Sequence, residues 1–278
     1  MGMGGAQGLD DDIERIVDGG VAWITLNRPE AGNALTPEMN SRLAGYMDEA
    51  SADLAVRAVV LTAAGTKSFC TGADLRSRRE PAPRPQGAPQ RAAGDVARML
   101  RIGWQRLITA VLDCEKPVVA AVNGTAAGGG MHLALACDLV LAADSARFIE
   151  VFVRRGIVPD AGGAYLLPRL IGPQRAKELF FFGDDLSATD AERWGLVNRV
   201  VAAEDLVAVA GEWAGRLASG PTRTLAGIKW LANRSMESDR ASALWEEALV
   251  QEMAQQSEDA REGMRSFAER RPPAYRGW

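Results

Sequence analysis

Two glycine-rich segments, each preceded by a short apolar run, constrain the fold of this chain more than any other feature. The apolar runs at 58–63 and 118–122 have the length and composition of buried strands. The glycine-rich segments follow at 68–75 and 123–130, and the second leads into an apolar stretch predicted to be helical and then into a further strand at 139–142. Because strands and helices alternate with short connections, the sequence predicts an α/β core.

The N-terminal part of this core is predicted to begin with a β-hairpin. Residues 13–17 and 21–26 have the pattern of two strands around the turn 18–20, which contains two glycines. Further on, Thr36 is a suitable N-cap and Pro37 a suitable first helical residue. A helix is therefore predicted to begin there.

Helices dominate the C-terminal part of the chain, where one short strand at 197–201 interrupts the helical pattern. We predict that residues 1–205 form the α/β core. Residues 206–278 are predicted to form a helical region that serves as a second small domain or as a contact between subunits. The segment 81–93, rich in proline, arginine and glutamine, is predicted to be a mobile loop or lid. The helices predicted in the C-terminal region span 206–217, 222–232, 240–256 and 259–269.

Composition excludes several classes of protein. The formal net charge of -4 gives no sign of a nucleic-acid-binding protein. Cys70, Cys114 and Cys137 lack the spacing of a zinc site and are typical of free thiols in a reducing compartment. Because His132 is the only histidine, a histidine-rich metal site is impossible. No apolar run reaches about 18 residues, the length of a membrane span, and residues 1–12 lack signal-peptide features, so we expect a cytoplasmic protein.

The glycine-rich segments admit more than one interpretation when each is taken alone. Glycine lets a backbone approach a ligand closely, and a helix N-terminus offers unpaired N–H groups that suit an anion. Tight turns and nucleotide-binding loops have a similar composition. The segment 123–130 contains neither the dinucleotide motif G-x-G-x-x-G nor the Gly-Lys-Ser/Thr ending of a phosphate loop, so it matches neither nucleotide motif.

Further short motifs follow one another in order along the chain, at 26–35, 69–75, 116–124, 128–130, 159–163, 186–188, 194–197 and 262–264. This series resembles the enoyl-CoA hydratase/isomerase (crotonase) family from residue 24 to the C terminus. The resemblance implies a crotonase-like spiral of repeated β-β-α units with a C-terminal helical domain. It also implies a homotrimer or hexamer. Coenzyme A is the expected carrier of the substrate, and no permanently bound cofactor is expected.

The same resemblance implies where the chemistry takes place. In the family a thioester carbonyl lies between two peptide N–H groups, which correspond here to Ala73 and Gly129. Such donors stabilise an enolate oxygen, and one donor is worth about 3–4 kcal/mol of transition-state stabilisation. Arg76 and Arg270 are candidate partners of the coenzyme A phosphates, although exposed surface arginines look the same in a sequence. The other residues expected to line the coenzyme A site are Asn33, Ala34, Asp74 and Leu75.

The type of reaction depends on the acid–base groups that are present. Hydratases of the family use two glutamates, and the corresponding positions here are His132 and Phe152. Because adding water needs a base and an acid, their absence argues against hydration. Isomerases of the family, including the ring-epoxide isomerase of phenylacetate degradation, carry an aspartate that corresponds to Asp160. One carboxylate is enough to move a proton between two carbons, but capping the next helix is an alternative role for Asp160.

His132 departs from the pattern of the hydratases and from that of the isomerases. A neutral ring is favoured because a cation is disfavoured near a helix N-terminus. Such a ring is either structural or able to shuttle a proton. Glu150 is a weaker candidate, because we interpret its alternation with Phe148 and Phe152 as placing it on a different strand face from theirs.

We therefore expect an acyl-CoA-processing enzyme that isomerises the double bond of an enoyl-CoA with Asp160 as the base. A hydratase that uses His132 is one alternative. A catalytically silent protein that binds acyl-CoA is another. An RNA-associated protein of the same fold is disfavoured by the negative net charge.

Overall fold

Two sheets form the centre of the structure, a computed structural model that describes residues 12–77, 85–89 and 92–278. Their strands are β1 (Ile13–Asp18), β2 (Val21–Leu26), β3 (Ala58–Ala63), β4 (Ser68–Cys70), β5 (Val118–Val122), β6 (Thr125–Ala127), β7 (Leu139–Ala143), β8 (Arg147–Ile149), β9 (Asp185–Ser187) and β10 (Arg199–Val201). The larger sheet has the order β1-β2-β3-β5-β7-β10 and the smaller has the order β4-β6-β8-β9. Neighbouring strands are parallel except in the pairs β1–β2 and β8–β9.

A β-β-α unit recurs along the core. In each unit the first strand joins the larger sheet and the second joins the smaller, as in β3–β4, β5–β6 and β7–β8. The helices are α1 (Pro37–Ala52), α2 (Asp95–Ile102), α3 (Trp104–Asp113), α4 (Gly129–Ala136), α5 (Gly163–Phe182), α6 (Ala188–Trp194), α7 (Leu206–Ala218), α8 (Thr222–Ser235), α9 (Arg240–Gln255) and α10 (Glu258–Glu269). The predicted α/β fold with repeated β-β-α units and a helical C-terminal region is confirmed.

The central strands of the larger sheet are buried on both faces. In β3, Val59 and Leu61 belong to the main hydrophobic core, whereas Ala58 and Val60 belong to a second cluster on the opposite face. Helix α7 covers this second face, and its small side chains let it lie close to the strands. Its buried residues recur at every fourth position and are Leu206, Ala210, Ala214 and Ala218.

Local signals in the sequence predicted most elements correctly. Strands β1 and β2 pair as a hairpin, and the Thr36 Oγ1 accepts a hydrogen bond from the Met39 N–H at 3.2 Å to cap α1. The four C-terminal helices begin at the predicted residue or one residue from it. The division between 1–205 and 206–278 stays a prediction. Residues 1–11 and part of the predicted lid at 81–93 lie outside the described residues.

The strand predicted at 197–201 is shorter than expected. The N–H groups of Leu196 and Val197 donate hydrogen bonds to the Ala191 carbonyl at 2.8 and 3.3 Å, so these residues close the end of α6 before β10 begins. Strands β4, β6 and β9 were not predicted from the sequence, because each has three residues and is too short for a periodicity signal. Of the helices described, none has both the length and the apolar character needed to cross a membrane.

A buried lysine ties α8 to the larger sheet. The Lys229 Nζ lies 2.9 Å from the Asp138 Oδ2 and donates a hydrogen bond to the Val111 carbonyl, also at 2.9 Å. The Asp138 carboxylate in turn accepts a hydrogen bond from the Val118 N–H at 2.7 Å. Burial raises the pKa of Asp138 even though Lys229 opposes the shift. Each of these two buried charges is therefore stabilised by the other.

We predict that Lys229→Met lowers the free energy of unfolding by about 3 kcal/mol, because it leaves the Asp138 carboxylate buried without its partner. Urea denaturation followed by circular dichroism measures the change. The double variant Lys229→Met/Asp138→Asn is the control, and it should recover part of the loss because no unpaired charge remains. A single variant that unfolds at the same urea concentration as the parent would contradict the prediction.

Candidate active site

The two glycine-rich segments come into direct contact at the ends of β4 and β6. Gly72 has a φ of 94°, and a Cβ placed on it would lie 3.4 Å from the Gly129 nitrogen. A Cβ on Gly130 would lie only 2.1 Å from the Cys70 carbonyl oxygen, so larger residues are excluded there. Burial raises the pKa of Cys70 to about 12, so its thiol is neutral and is not a nucleophile.

This contact brings Gly129 close to Gly72, the residue before Ala73. Leu35 pairs with Ala73 as an isolated parallel bridge, in which the Leu35 N–H bonds to the Gly72 carbonyl and the Asp74 N–H bonds to the Leu35 carbonyl, each at 2.9 Å. This pattern directs the N–H of Ala73 away from Leu35. Gly129 is the first residue of α4, whose N–H has no acceptor within the helix. Among the described residues, neither N–H has a hydrogen-bond acceptor.

Aromatic rings lie on both sides of the Gly128–Gly129 backbone. A Cβ on Gly129 would lie 2.9 Å from the Trp104 ring, and a Cβ on Gly128 would lie 3.5 Å from the Phe152 ring. Both rings are buried. Trp104 was not identified from the sequence, because the contact between α3 and α4 is a tertiary one that has no local signal.

His132, in α4, and Glu150, directly after β8, form a buried pair. Their side chains are fully buried, and the His132 Nε2 lies 2.6 Å from the Glu150 Oε1. The Phe152 ring stacks on the imidazole with a centroid distance of 5.4 Å and an interplanar angle of 8°. The prediction that Glu150 lies on a different face from Phe148 and Phe152 was wrong. Residues two apart share a strand face, and β8 ends at Ile149, after which the chain turns Glu150 and Phe152 towards His132.

Asp160 lies in the loop that leads into α5, next to this pair. The Gly163 N–H donates a hydrogen bond to the Asp160 carbonyl at 3.0 Å. A Cβ on Gly163 would lie 2.1 Å from the His132 Cε1 and Nε2, so Gly163 lets the loop approach the imidazole. The N-cap of α5 is Gly162, with no side-chain capping bond, so the alternative role of Asp160 as a helix cap was wrong.

The environment of Asp160 makes its carboxylate a stronger base than an ordinary aspartate. Its pKa is raised, chiefly by burial, and the negative charge of Glu150 acts in the same direction. A protonated His132 opposes the shift in the pKa of Asp160. A half-buried carboxylate with a raised pKa is suited to general base chemistry near neutral pH.

The residues predicted to contact coenzyme A fall into two groups. Asn33 is fully buried, and its side chain ties its own loop to the segment 64–68. Its Nδ2 donates hydrogen bonds to the carbonyls of Ala64 and Ser68 at 3.0 and 2.7 Å. Ala34 is also buried. Leu75, Arg76 and Arg270 are exposed, and Arg270 lies at the C-terminal end of α10. Their roles in binding stay predictions.

Arg28 holds the two segments of this region together and was not identified from the sequence. Its guanidinium donates to the Ala34 carbonyl at 2.9 Å and to the Asp74 Oδ2 at 3.0 Å. The N–H of Arg76 and then the Arg28 guanidinium lower the pKa of Asp74. Asp74 is therefore an ionised anchor of the loop that carries Ala73. Within the described residues, no group of three or more His, Cys, Asp or Glu side chains is arranged to hold a metal ion.

Comparison with known proteins agrees with this geometry. The family model described as enoyl-CoA hydratase/isomerase matches residues 17–277. The 1,2-epoxyphenylacetyl-CoA isomerase of Escherichia coli (strain K12) is 38% identical over 261 residues, which cover 94% of this chain and 97% of that protein. A probable enoyl-CoA hydratase of Rhodobacter capsulatus is 38% identical over 258 residues, which cover 93% of this chain and 95% of that protein.

Solved structures show the same similarity. The enoyl-CoA hydratase from Bacillus anthracis superposes with a TM-score of 0.87 at 34% identity and covers 96% of this chain and 100% of its own. A putative enoyl-CoA hydratase from Streptomyces coelicolor A3(2) also has a TM-score of 0.87 at 34% identity, with 100% of this chain and 98% of its own covered. The chain therefore belongs to the enoyl-CoA hydratase/isomerase family and is an enzyme of that family.

Proposed function

We propose that this enzyme moves the double bond of an enoyl-CoA thioester, with coenzyme A as the carrier of the acyl group and Asp160 as the base. The observation that carries the proposal is the half-buried Asp160 carboxylate, which caps no helix and lies beside the His132–Glu150 pair. The similarity to an isomerase that acts on an acyl-CoA supports it. No permanently bound cofactor is needed, because the reaction only relocates a proton.

The first step of the proposed reaction is the formation of an enolate. The thioester oxygen accepts hydrogen bonds from the N–H groups of Ala73 and Gly129, and Asp160 removes the proton from the α-carbon. Negative charge then moves from the carboxylate to the enolate oxygen. Donors that are fixed in place stabilise this charge without reorganisation.

The second step returns the same proton to the γ-carbon. The electron pair of the enolate re-forms the thioester carbonyl, and the double bond shifts to the position between the α- and β-carbons. Asp160 becomes a carboxylate again, so neither water nor a second acid takes part. One carboxylate reaches both carbons if they lie on the same side of the bound acyl chain.

Hydration with His132 as the acid–base group is the second candidate. The contact of His132 with Glu150 favours it, since an imidazole oriented by a carboxylate is a common general base. The complete burial of the ring argues against a role in positioning water. A catalytically silent acyl-CoA-binding protein is the third candidate, and any turnover in the assays below contradicts it.

We predict that Gly129→Pro abolishes turnover, because proline removes one donor N–H at the first position of α4, where its φ is tolerated. Gly129→Ala is the matched control. Alanine and proline both meet the Trp104 ring, but alanine keeps the N–H. Steady-state assays should show that alanine retains more activity than proline by about 10²-fold, the usual value of one oxyanion donor. Equal losses in both variants would assign the effect to Trp104 instead.

We predict that Asp160→Asn lowers the isomerase rate by at least about 10²-fold with little change in substrate binding, because the amide keeps the shape but is not a base. The gain in absorbance of the conjugated 2-enoyl thioester, formed from a 3-enoyl-CoA substrate, measures the rate, and calorimetry measures the affinity. Exchange of the α-proton with deuterated water should fall in parallel. If Asp160→Asn isomerises like the parent while His132→Ala does not, the catalytic role belongs to His132.

We predict that hydration of crotonyl-CoA is absent or very slow, because His132 and Phe152 stand where hydratases of the family have glutamates. Losing one general acid–base group typically costs about 10²–10⁴ in rate. Loss of absorbance of the conjugated thioester measures the reaction. Hydration at the rate of an efficient enzyme would favour the second candidate over the first.

We predict that the protein is a homotrimer or hexamer through the region 206–278. Helices α8 to α10 expose large apolar side chains, among them Trp245 at 66%, Met253 at 73% and Phe267 at 83% of their full accessibility. Such surfaces are typical of contacts between subunits. Static light scattering measures the mass, and a stable monomer at micromolar concentration would contradict the prediction.

A further inference from the structure

The His132–Glu150 pair has no role in the proposed proton transfer, although it lies beside the base. Both side chains are fully buried. The second atoms of the two groups, the His132 Nδ1 and the Glu150 Oε2, are also buried and have no hydrogen-bond partner among the described residues. An arrangement that buries two titratable groups with half of their polar atoms unpaired is costly.

The geometry of the pair favours one protonation form. At 2.6 Å, the contact between the Nε2 and the Oε1 needs a proton between the two atoms. A proton on Nδ1 would be a buried donor without an acceptor, which is rarer in proteins than an unpaired acceptor. His132 also lies in the first turns of α4, where the helix dipole disfavours a cation. The favoured form is a neutral imidazole with its proton on Nε2, bonded to an ionised Glu150.

Gly163 contacts both the imidazole of the pair and the backbone of Asp160. The Gly163 backbone abuts the imidazole on one side and donates its N–H to the Asp160 carbonyl on the other. Among the described residues, His132 from α4 and Glu150 after β8 are the charged or titratable groups that act on the Asp160 carboxyl. Arg154, nearby in the same segment, is exposed and paired with Asp185 at 3.0 Å. From α3, the loop meets the hydrocarbon side chain of Ile108.

We propose that Glu150 is a positioning residue of this site, which holds His132 as the neutral Nε2–H tautomer and places a fixed negative charge beside Asp160. Glu150 acts on the reaction only through its neighbours, without touching the substrate. The inference rests on the proposed function, in which Asp160 is the base, because it names Glu150 as one cause of the basicity of Asp160. It also explains why a carboxylate with one unpaired oxygen is buried at this position.

The only histidine of the chain makes the tautomer directly observable. With isotopically labelled histidine, NMR of the ring nitrogens gives a single pair of signals, which report where the proton lies. We expect the parent protein to show a protonated Nε2 and an unprotonated Nδ1 at neutral pH. Glu150→Gln should shift both signals, because a neutral amide replaces the charged acceptor. A parent spectrum with the proton on Nδ1 would overturn the proposal.

The pH profile of kcat/KM for the isomerisation tests the second half of the proposal. Glu150→Gln removes a negative charge beside Asp160, so the acid limb of the profile should move to lower pH. The weaker base should lower kcat by about threefold to tenfold on the plateau, with KM nearly unchanged. A purely structural role would lower activity without moving the limb, and that result would also overturn the proposal.

Asp185→Asn is the matched control, since Asp185 pairs with Ile149 across the sheet, next to Glu150, but is exposed. It should leave the ring signals and the acid limb unchanged. If Glu150→Gln does not fold, the parent still provides a test. Its ring signals should shift across the pH range of the acid limb, and Asp160→Asn should abolish that shift. If the His132 ring signals do not change as Asp160 ionises, the proposed interaction between the His132–Glu150 pair and Asp160 is overturned.

The two proposals fail in different ways. An Asp160→Asn variant that keeps its isomerase rate removes the base and therefore the proposed function, whatever the ring signals show. An unchanged acid limb and unchanged ring signals in Glu150→Gln remove only the role of Glu150. In that case Asp160 remains the base, and burial alone accounts for its basicity.

Discussion

The contact between the backbones at Gly72 and Gly128–Gly130 is the constraint on which the rest of the site depends. Two strands of the smaller sheet bring their ends close enough that a single Cβ at Gly130 would overlap the Cys70 carbonyl. The approach brings Gly129, whose N–H has no acceptor among the described residues, close to Gly72 and thus to the loop that carries Ala73. Hydrogen-bond donors that are fixed by packed backbone need no reorganisation when charge develops, which side-chain donors on flexible stems do not achieve as easily.

The sequence predicted those features whose causes are local. A hairpin turn, a threonine cap and the regular spacing of apolar residues act over a few residues, so β1, β2, α1 and the C-terminal helices could be placed closely. The motifs also predicted that the two glycine-rich segments share a site. The resemblance to a family supplied the pairing of Ala73 with Gly129, which stays a proposal, and the structure shows that Gly72 packs against Gly129.

Features that depend on contacts between residues far apart in the sequence were missed or wrongly predicted. Trp104 reaches Gly129 across a helix contact, and Arg28 joins loops that are 46 residues apart in sequence. Glu150 was assigned to the wrong face because its alternation was misinterpreted and because β8 ends one residue before it. The capping role considered for Asp160 failed for a similar reason. The positive φ values of Ala161 and Gly162 delay the start of α5, so the carboxylate is left outside the helix.

The division of each β-β-α unit between two sheets separates the parts of the site from one another. Ala73 follows the second strand of the first unit, Gly129 follows that of the second, and Asp160 lies in the connection after that of the third. In the proposed mechanism, the anchoring of the thioester and the handling of the proton therefore belong to different segments of chain. On that mechanism, substitutions in the third unit would change which bond is made or broken while the carbonyl stays in the same place. Such modularity gives one scaffold a simple route to several reactions on the same carrier.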